Sequence, residues 1–161
     1  KVYLDNFLEG LHIPIVHPEL NNVMDYKSYN TKLYKNFSVQ SGKLDDSKSP
    51  YAQSSNNVAY YFTIYPNILF NIAPGRFQTN TIEPLNGKEC VVHFDYFFNS
   101  VTKKEILKDI NFSDEIQKED ILICEEVQKN LISIGFEQGI ISDKYEIGVK
   151  HFQDYIKNNI S

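Results

Sequence analysis

The spacing of apolar residues divides the chain into a helical start, a polar segment, a run of strands and a helical end. Apolar side chains recur at intervals of three and four between residues 4 and 11, which predicts a first helix. Pro14 bends or ends this helix near residue 13. Residues 21–57 are polar, and 47–57 is their most loop-like stretch, so we expect a mobile lid or an insertion there.

Segments rich in β-branched and aromatic residues follow, and they predict strands at 58–65, 68–72, 77–82 and 90–98. Turn residues separate these segments, at Pro66-Asn67, Pro74-Gly75 and Asn86-Gly87. Because such short turns join neighbouring strands as hairpins, the pattern favours an antiparallel sheet.

Helical spacing returns after the strands. A short helix is predicted at 103–109, and a longer one begins at the N-cap Ser113 and ends before residue 135. A last helix begins at Asp143, whose spacing to Glu146 is that of a capping box, and runs to about residue 159. Strands followed by helices predict an α+β fold.

Composition narrows the range of partners. The 161 residues are enough for one domain, and 16 Lys and Arg against 21 Asp and Glu leave a net charge of −5. This balance lacks the basic footprint of a nucleic-acid or anionic-membrane binder. No apolar run reaches the ~20 residues of a membrane-spanning helix, and the N-terminus lacks the pattern of a secretory signal, so we expect a cytoplasmic protein.

Two further features of the sequence concern the cysteines and the first residue. Cys90 and Cys124 lack Cys-x-x-Cys spacing, so we expect core thiols rather than a disulfide framework or a zinc knuckle. The chain starts with Lys1 inside a helical pattern, and we therefore expect it to be a fragment with a segment missing upstream.

A carboxylate occupies the apolar stripe of the long predicted helix. On a helical wheel Asp120 falls among the residues that define this stripe, which are Ile116, Ile123, Val127, Leu131 and Ile134. Because burying a bare carboxylate costs several kcal/mol, Asp120 requires a cation, a donor network or a proton. The alternative is an Asp120 at the edge of the stripe that caps a loop amide or meets a lysine.

Three residues whose side chains can bind a metal or transfer a proton lie close together in the first segment. Glu9 and His12 are three residues apart and share a helix face. His12 and His17 would point about 140° apart on a straight helix, but the break at Pro14 lets them converge. The alternative is that both histidines are ordinary structural residues.

Together these positions supply two neutral imidazoles and one carboxylate. Three ligands on one face suit Fe(II), because they leave open positions for dioxygen and substrate. Zinc takes the same three ligands in hydrolases, and spacing alone does not separate the two metals.

Two separated segments resemble those of Rieske-type non-haem iron oxygenases. Residues 5–20, DNFLEGLHIPIVHPEL, are similar to that family's iron-binding pattern, approximately [ED]-N-[FY]-x-[DE]-x-Y-H-x4-H-P. Residues 119–128, EDILICEEVQ, are similar to the segment that carries the third ligand. The resemblance covers nearly the whole chain, and Leu11 departs from it where the family has Tyr.

This resemblance implies roles for five residues. It implies a mononuclear iron held by His12, His17 and Asp120. It also implies that Glu9 bridges this iron to the Rieske cluster of a neighbouring subunit, and that Asn6 lies near the iron or its water. The alternatives are a plain surface carboxylate for Glu9 and a helix-turn residue for Asn6.

The resemblance also implies an architecture and partners. Residues 1–161 would form a single catalytic domain, with a curved antiparallel sheet around a long C-terminal helix, the helix-grip fold. The chain lacks the Cys-x-His and Cys-x-x-His pairs of a [2Fe-2S] cluster, so we expect the Rieske domain upstream. Electrons would come from NAD(P)H through a reductase, with or without a ferredoxin, and the full-length protein would be a homotrimer.

Aromatic residues, 14% of the chain and concentrated in the predicted strands, suggest two kinds of substrate. Such walls stack on aromatic rings or hold a quaternary ammonium by cation–π attraction. Tyr65-Pro66-Asn67 and Asp95-Tyr96-Phe97-Phe98 look more like relatives that act on choline- or betaine-type amines. We therefore expect an oxygenase that hydroxylates or N-dealkylates a small amine. The alternatives are an aromatic-ring hydroxylating dioxygenase and a non-catalytic helix-grip module that binds a ligand.

Overall fold

The structure is a computed structural model that describes residues 1–45, 57–99, 102–137 and 139–159. Three short helices come first: α1 (Val2–Phe7), α2 (Ile13–Val16) and α3 (Pro18–Val23). The strands are β1 (Met24–Tyr34), β2 (Phe37–Leu44), β3 (Val58–Ile64), β4 (Ile68–Ala73), β5 (Arg76–Pro84) and β6 (Cys90–Phe98). Two helices follow, α4 (Lys103–Leu131) and α5 (Ile147–Asn159).

The strands form one antiparallel sheet in the order β1-β2-β3-β4-β5-β6. Each strand pairs with its neighbour in sequence. Short turns join β3 to β4, β4 to β5 and β5 to β6, as expected for hairpins. Gly75 has a φ of +78° in the tight turn between β4 and β5, a backbone conformation that residues with a Cβ rarely adopt. The predicted α+β class with an antiparallel sheet is therefore confirmed.

The start of the chain differs from the single helix that was predicted. The first helix ends at Phe7, and a second begins at Ile13 with Pro14 in its first turn. Proline is well tolerated there, because the first N–H groups of a helix have no partner within the helix. Pro14 therefore helps to start α2 instead of ending α1.

The predicted lid or insertion at 21–57 is wrong for most of its length, because β1 and β2 lie there. The polar composition hid these strands. On β2 the inward-facing positions include Ser38 and Gln40, which are fully buried although polar. The part of the predicted loop at 47–56 lies outside the described residues.

The two helices predicted between 103 and 135 are one helix, α4. It begins with a capping box, in which Thr102 accepts from the backbone N–H of Glu105 and the Glu105 carboxylate accepts from the N–H of Thr102 at 2.7 Å. Ser113, the predicted N-cap, is buried inside the helix, where its hydroxyl accepts from Tyr96 at 3.1 Å. This contact packs α4 against the sheet.

The apolar stripe predicted for this helix is also partly wrong. Val127 is 40% exposed, and Ile134 lies beyond the end of α4 and is fully exposed. The buried residues of α4 are instead polar, namely Asp109 and Ser113. Apolar spacing alone therefore predicted the wrong inward-facing residues for the C-terminal part of the helix.

A hydrophobic core lies where α1 and α5 pack together on the sheet. Its buried members are Tyr3, Leu4, Leu8, Tyr65, Leu69, Ile82, Val149 and Phe152. The capping box predicted for α5 is not formed, because the Glu146 carboxylate accepts from the N–H of Ser142 at 2.7 Å and the helix begins at Ile147.

The two cysteines differ in exposure. Both are free, but Cys90 is exposed and therefore not a core thiol, whereas Cys124 is half-buried. Across the described ranges, no helix combines the length and apolar character that a membrane span requires.

Candidate metal centre

The two histidines and the aspartate predicted as metal ligands come from distant parts of the chain and meet at one point. His12 is the N-cap of α2, His17 lies between α2 and α3, and Asp120 belongs to α4. His17 is buried, and the side chains of His12 and Asp120 are only 15% and 13% exposed. The break between α1 and α2, the short helix α2 that separates the two histidines, and the packing of α4 on α1 produce this meeting.

Asp120 lies at the middle of the group. Its Oδ1 is 3.0 Å from Nε2 of His17 and 3.8 Å from Nε2 of His12. The two imidazole rings are 5.1 Å apart between centroids and nearly perpendicular. One ligand atom from each of the three residues lies within 4.8 Å of the other two.

The two separations from Asp120 fit ligands of a common ion. Metal bonds to imidazole and carboxylate are ~2.1 Å long, so two ligand atoms on one ion lie at most about 4.2 Å apart. Both measured separations from Asp120 fall below that limit. The donor set of two imidazoles and one carboxylate also leaves coordination positions open.

A glutamate carboxylate contacts Nδ1 of each histidine, the ring nitrogen that does not face Asp120. Nδ1 of His12 is 2.5 Å from Oε1 of Glu9, and Nδ1 of His17 is 2.7 Å from Oε2 of Glu119. A carboxylate accepts from Nδ1–H and so assigns a proton to that nitrogen, which leaves Nε2 directed at Asp120 as the nitrogen that can bind a metal. Burial lowers the pKa of His17, but the hydrogen bonds that His17 donates to Asp120 and Glu119 outweigh this effect and leave the pKa raised.

Asn6 and Glu9 are anchored in the same group. The side-chain amide of Asn6 donates to Oδ1 of Asp120 at 2.6 Å, which links α1 to α4. The second oxygen of Glu9 accepts from the backbone N–H groups of Leu11 and His12, so its carboxylate is held in one orientation. Both residues therefore lie in direct contact with the predicted ligands.

A cavity of about 100 Å³ opens beside the three residues. Helices α1 to α4 line one side of it and the inner face of the sheet lines the other. Its apolar and aromatic walls include Phe7, Tyr29, Tyr61, Ile72, Phe112 and Ile116. A small organic molecule in this cavity would lie between the metal group and the sheet.

The tyrosines of the cavity are electrically neutral at physiological pH. Burial raises the pKa of Tyr61 to about 12, and burial together with the charge of Glu9 also raises the pKa of Tyr29. A protonated phenol presents an aromatic face without a negative charge. These walls therefore suit an apolar or cationic group.

Sequence reasoning missed two contributors to the site. Glu119 holds His17, and the only signal for it was its place beside Asp120. Tyr29 lies on β1, within the segment predicted as a lid.

Comparison with known proteins gives a family. The family model described as "Ring hydroxylating alpha subunit (catalytic domain)" matches residues 1–161. A chloroplastic choline monooxygenase of Arabidopsis thaliana is 30% identical over 166 residues, which cover 99% of this chain and 39% of that protein. The carnitine monooxygenase oxygenase subunit of Acinetobacter pittii is 28% identical, over 97% of this chain and 46% of that protein.

Solved structures agree on the fold. The quaternary ammonium Rieske monooxygenase CntA in complex with L-carnitine superposes with a TM-score of 0.80 at 21% identity, covering 98% of this chain and 44% of CntA. The chain thus spans less than half the length of each of these relatives. Because the family model matches from the first residue to the last, the chain belongs to the ring-hydroxylating alpha-subunit family and corresponds to its catalytic domain.

Proposed function

We propose that this chain carries the mononuclear iron centre of a Rieske-type oxygenase, with Fe(II) bound by His12, His17 and Asp120. The convergence of these three side chains beside a cavity is the observation that carries the proposal. Family membership favours iron over zinc, which the donor set alone leaves open.

Bound Fe(II) would supply dioxygen activation, and the residues of this chain would prepare the site for it. His12 and His17 present Nε2, because Glu9 and Glu119 occupy their Nδ1 atoms. Asn6 holds Oδ1 of Asp120 and fixes the carboxylate. The aromatic walls keep water from the space beside the ligands, where a substrate would lie.

Glu9 is proposed as the bridge through which electrons arrive at His12. Its carboxylate contacts Nδ1 of His12, and the side chain is 12% exposed. A structure of a related enzyme is described as revealing inter-subunit electron transfer, which supports a donor on a neighbouring subunit. The proposal includes a [2Fe-2S] Rieske domain in the full-length protein, which would be a cytoplasmic homotrimer. Its electrons would come from a reductase that uses NAD(P)H, with or without a ferredoxin.

The proposed substrate is a small quaternary or tertiary amine, which is hydroxylated or N-dealkylated. The relatives compared above are described by their action on choline and carnitine, and CntA as a quaternary ammonium monooxygenase. Faces of neutral tyrosines attract such cations by about 0.5–2 kcal/mol per good contact. These observations favour an amine over the aromatic ring of the alternative hypothesis.

Metal content tests the centre. Anaerobic reconstitution with Fe(II) should give about one iron per chain, and Asp120→Ala should abolish tight binding. Asp114→Ala, which removes an exposed carboxylate from the same helix, should leave iron binding unchanged. Unchanged iron uptake in Asp120→Ala would instead favour the non-catalytic helix-grip module.

A second experiment separates electron transfer from metal binding. Glu9→Ala in the full-length protein should retain iron at saturating Fe(II) and lose turnover, because the route to His12 is interrupted while the three ligands remain. Loss of iron even at saturating Fe(II) would show that Glu9 is a ligand or an essential support of the metal and does not act as a bridge.

A further inference from the structure

A buried cation lies in the cavity wall, on the inner face of the sheet. Among the described residues that line the cavity, Arg76 is the one with a Lys or Arg side chain. It is 11% exposed and belongs to β5, directly across from Ala73 of β4. Because Ala73 and the neighbouring lining residue Ala59 are small, this part of the sheet leaves room beside the guanidinium.

Arg76 is held in place from the helix side. Its Nη1 lies 3.3 Å from Oδ2 and 3.4 Å from Oδ1 of Asp109, which is 8% exposed on α4. Burying an ion pair costs free energy, and apolar residues of similar volume can often replace such a pair without loss of stability. Stability alone therefore does not explain the presence of this pair. A guanidinium has five N–H donors, so the pair with Asp109 is compatible with binding a second carboxylate.

The charges of the cavity are arranged along its length. Glu9 and Asp120 lie at the metal group, and the electrostatic influence of Glu9 reaches Tyr29. Tyr61 raises the pKa of Tyr29, and Arg76 lowers the pKa of Tyr61 against the stronger effect of burial. Asp109, which pairs with Arg76, precedes Asp120 by about three turns of α4, or about 16 Å of helix, so the cavity has an acidic end at the metal group and Arg76 towards the other end.

This order fits a molecule with a cationic group and an anionic group. The cation would face the aromatic rings and the acidic end, and the anion would face Arg76. Amide side chains accompany the guanidinium, because Asn71 and Gln78 are opposite each other on β4 and β5 and both line the cavity. A carboxylate matches the planar fork of the guanidinium.

We propose that Arg76 is a specificity-determining residue that binds the carboxylate of a zwitterionic amine, so that the site selects betaine-type substrates over amino alcohols such as choline. Asp109 orients the guanidinium from the opposite side. The inference rests on the proposed function for the amine end of the substrate, and it adds a recognition group for the other end.

Matched ligands test the proposal directly. Glycine betaine and choline share a trimethylammonium group. At the other end, glycine betaine has a carboxylate where choline has a hydroxymethyl group. γ-Butyrobetaine and its alcohol form a second pair with a longer spacing. Calorimetric titration of the full chain should show roughly tenfold tighter binding of the carboxylate in at least one pair. Arg76→Gln should remove this preference and leave the affinity for the alcohol within about twofold.

A second variant separates recognition from folding. Arg76→Gln alone leaves Asp109 buried without this cation, whereas the double variant Arg76→Gln/Asp109→Asn removes both charges. The double variant should bind the alcohol like the wild type and still lack the carboxylate preference. Equal binding within both pairs, no binding of any of the four, or equal loss of carboxylate and alcohol in the double variant would overturn the proposal.

The outcome is independent of the metal experiment. A carboxylate preference that depends on Arg76 would stand even if Asp120→Ala left iron uptake unchanged. Conversely, iron bound by His12, His17 and Asp120 without a carboxylate preference would uphold the proposed function and reject the role of Arg76.

Discussion

At the level of single residues, two carboxylates order the histidines of the centre, and they differ in exposure. The side chain of Glu9 is 12% exposed, and that of Glu119 is 38% exposed. Hydrogen bonds of this kind fix the tautomer and the ring orientation of a metal-binding histidine. Glu119 therefore supports His17 as Glu9 supports His12, although it resembled an ordinary surface residue in the sequence.

Removing the carboxylate of Glu119 should weaken metal binding without removing a ligand. We expect Glu119→Ala to reduce Fe(II) affinity by about 10–100-fold, because His17 loses its partner at Nδ1. Glu119→Gln should lose less, since an amide oxygen still accepts from Nδ1–H. Competition with a chromophoric chelator under anaerobic conditions measures both affinities.

Glu125→Gln provides the control for these variants. It removes a carboxylate from an exposed position on the same helix and should leave metal affinity unchanged. Equal affinities of Glu119→Ala and the wild type would show that His17 is oriented by its packing alone.

The two cysteines should differ strongly in reactivity. Burial, reinforced by the charge of Asp120, raises the pKa of Cys124 to about 12, so about one thiol in ten thousand is ionised at pH 8. Cys90 is exposed at the start of β6. Iodoacetamide at pH 8, followed by peptide mass mapping, should label Cys90 in the folded protein and leave Cys124 unmodified until denaturant is added. Labelling of both at equal rates in the folded protein contradicts this.

At the level of elements, the contact of α5 with the chain after α1 is unusually close. A Cβ built on Gly148 would lie 2.6 Å from the carbonyl oxygen of Leu8. The glycine thus lets α5 approach the backbone directly before Glu9. Packing in this part of the core therefore supports the segment that carries the acidic partner of His12.

Gly148→Ala should destabilise the protein through this contact. Overpacking of a close interface costs typically about 1–3 kcal/mol, because backbone atoms must move. Urea unfolding should show a lower midpoint with an unchanged slope. Gly87→Ala is the matched control, since nothing lies within 4 Å of its Cβ position, and its midpoint should stay near that of the wild type. A Gly148→Ala midpoint equal to the control would show that α5 shifts without cost.

Local signals predicted much of this architecture, and contacts distant in sequence account for the errors. The hairpins from β3 to β6 followed from turn residues that act within a few positions. β1 and β2 were missed because buried inward positions such as Ser38 and Gln40 read as loop. The candidate site residues were predicted from spacing and resemblance. Glu119, in contrast, acquires its place only when α4 meets the first segment, and Arg76 when β5 meets α4.

At the level of the whole molecule, the candidate metal centre connects the helices before the sheet with the long helix after it. His12 and His17 belong to the helices that precede the sheet, and Asp120 belongs to the helix that follows it. The contacts of Asp120 with Asn6 and His17 contribute to this link, as do those of Glu119 with His17 and of Gln117 with Tyr3. An ion bound to all three ligands would add a cross-link that the unfolded chain cannot form.

Metal binding should therefore stabilise the whole fold. At a free Fe(II) concentration one hundred times the Kd, linkage adds about 2.7 kcal/mol to the free energy of unfolding. For a protein of this size that corresponds to a rise in Tm of roughly 5–11 °C. Anaerobic differential scanning calorimetry, with and without Fe(II), measures the shift, and a chelator should reverse it. Asp120→Ala should lose the shift while Asp114→Ala retains it. The comparison uses the shift within each variant, since Asp120→Ala also removes the partner of Asn6 and lowers the metal-free Tm. A wild-type Tm that Fe(II) leaves unchanged at saturating concentration would mean that the three side chains do not act as ligands of one ion.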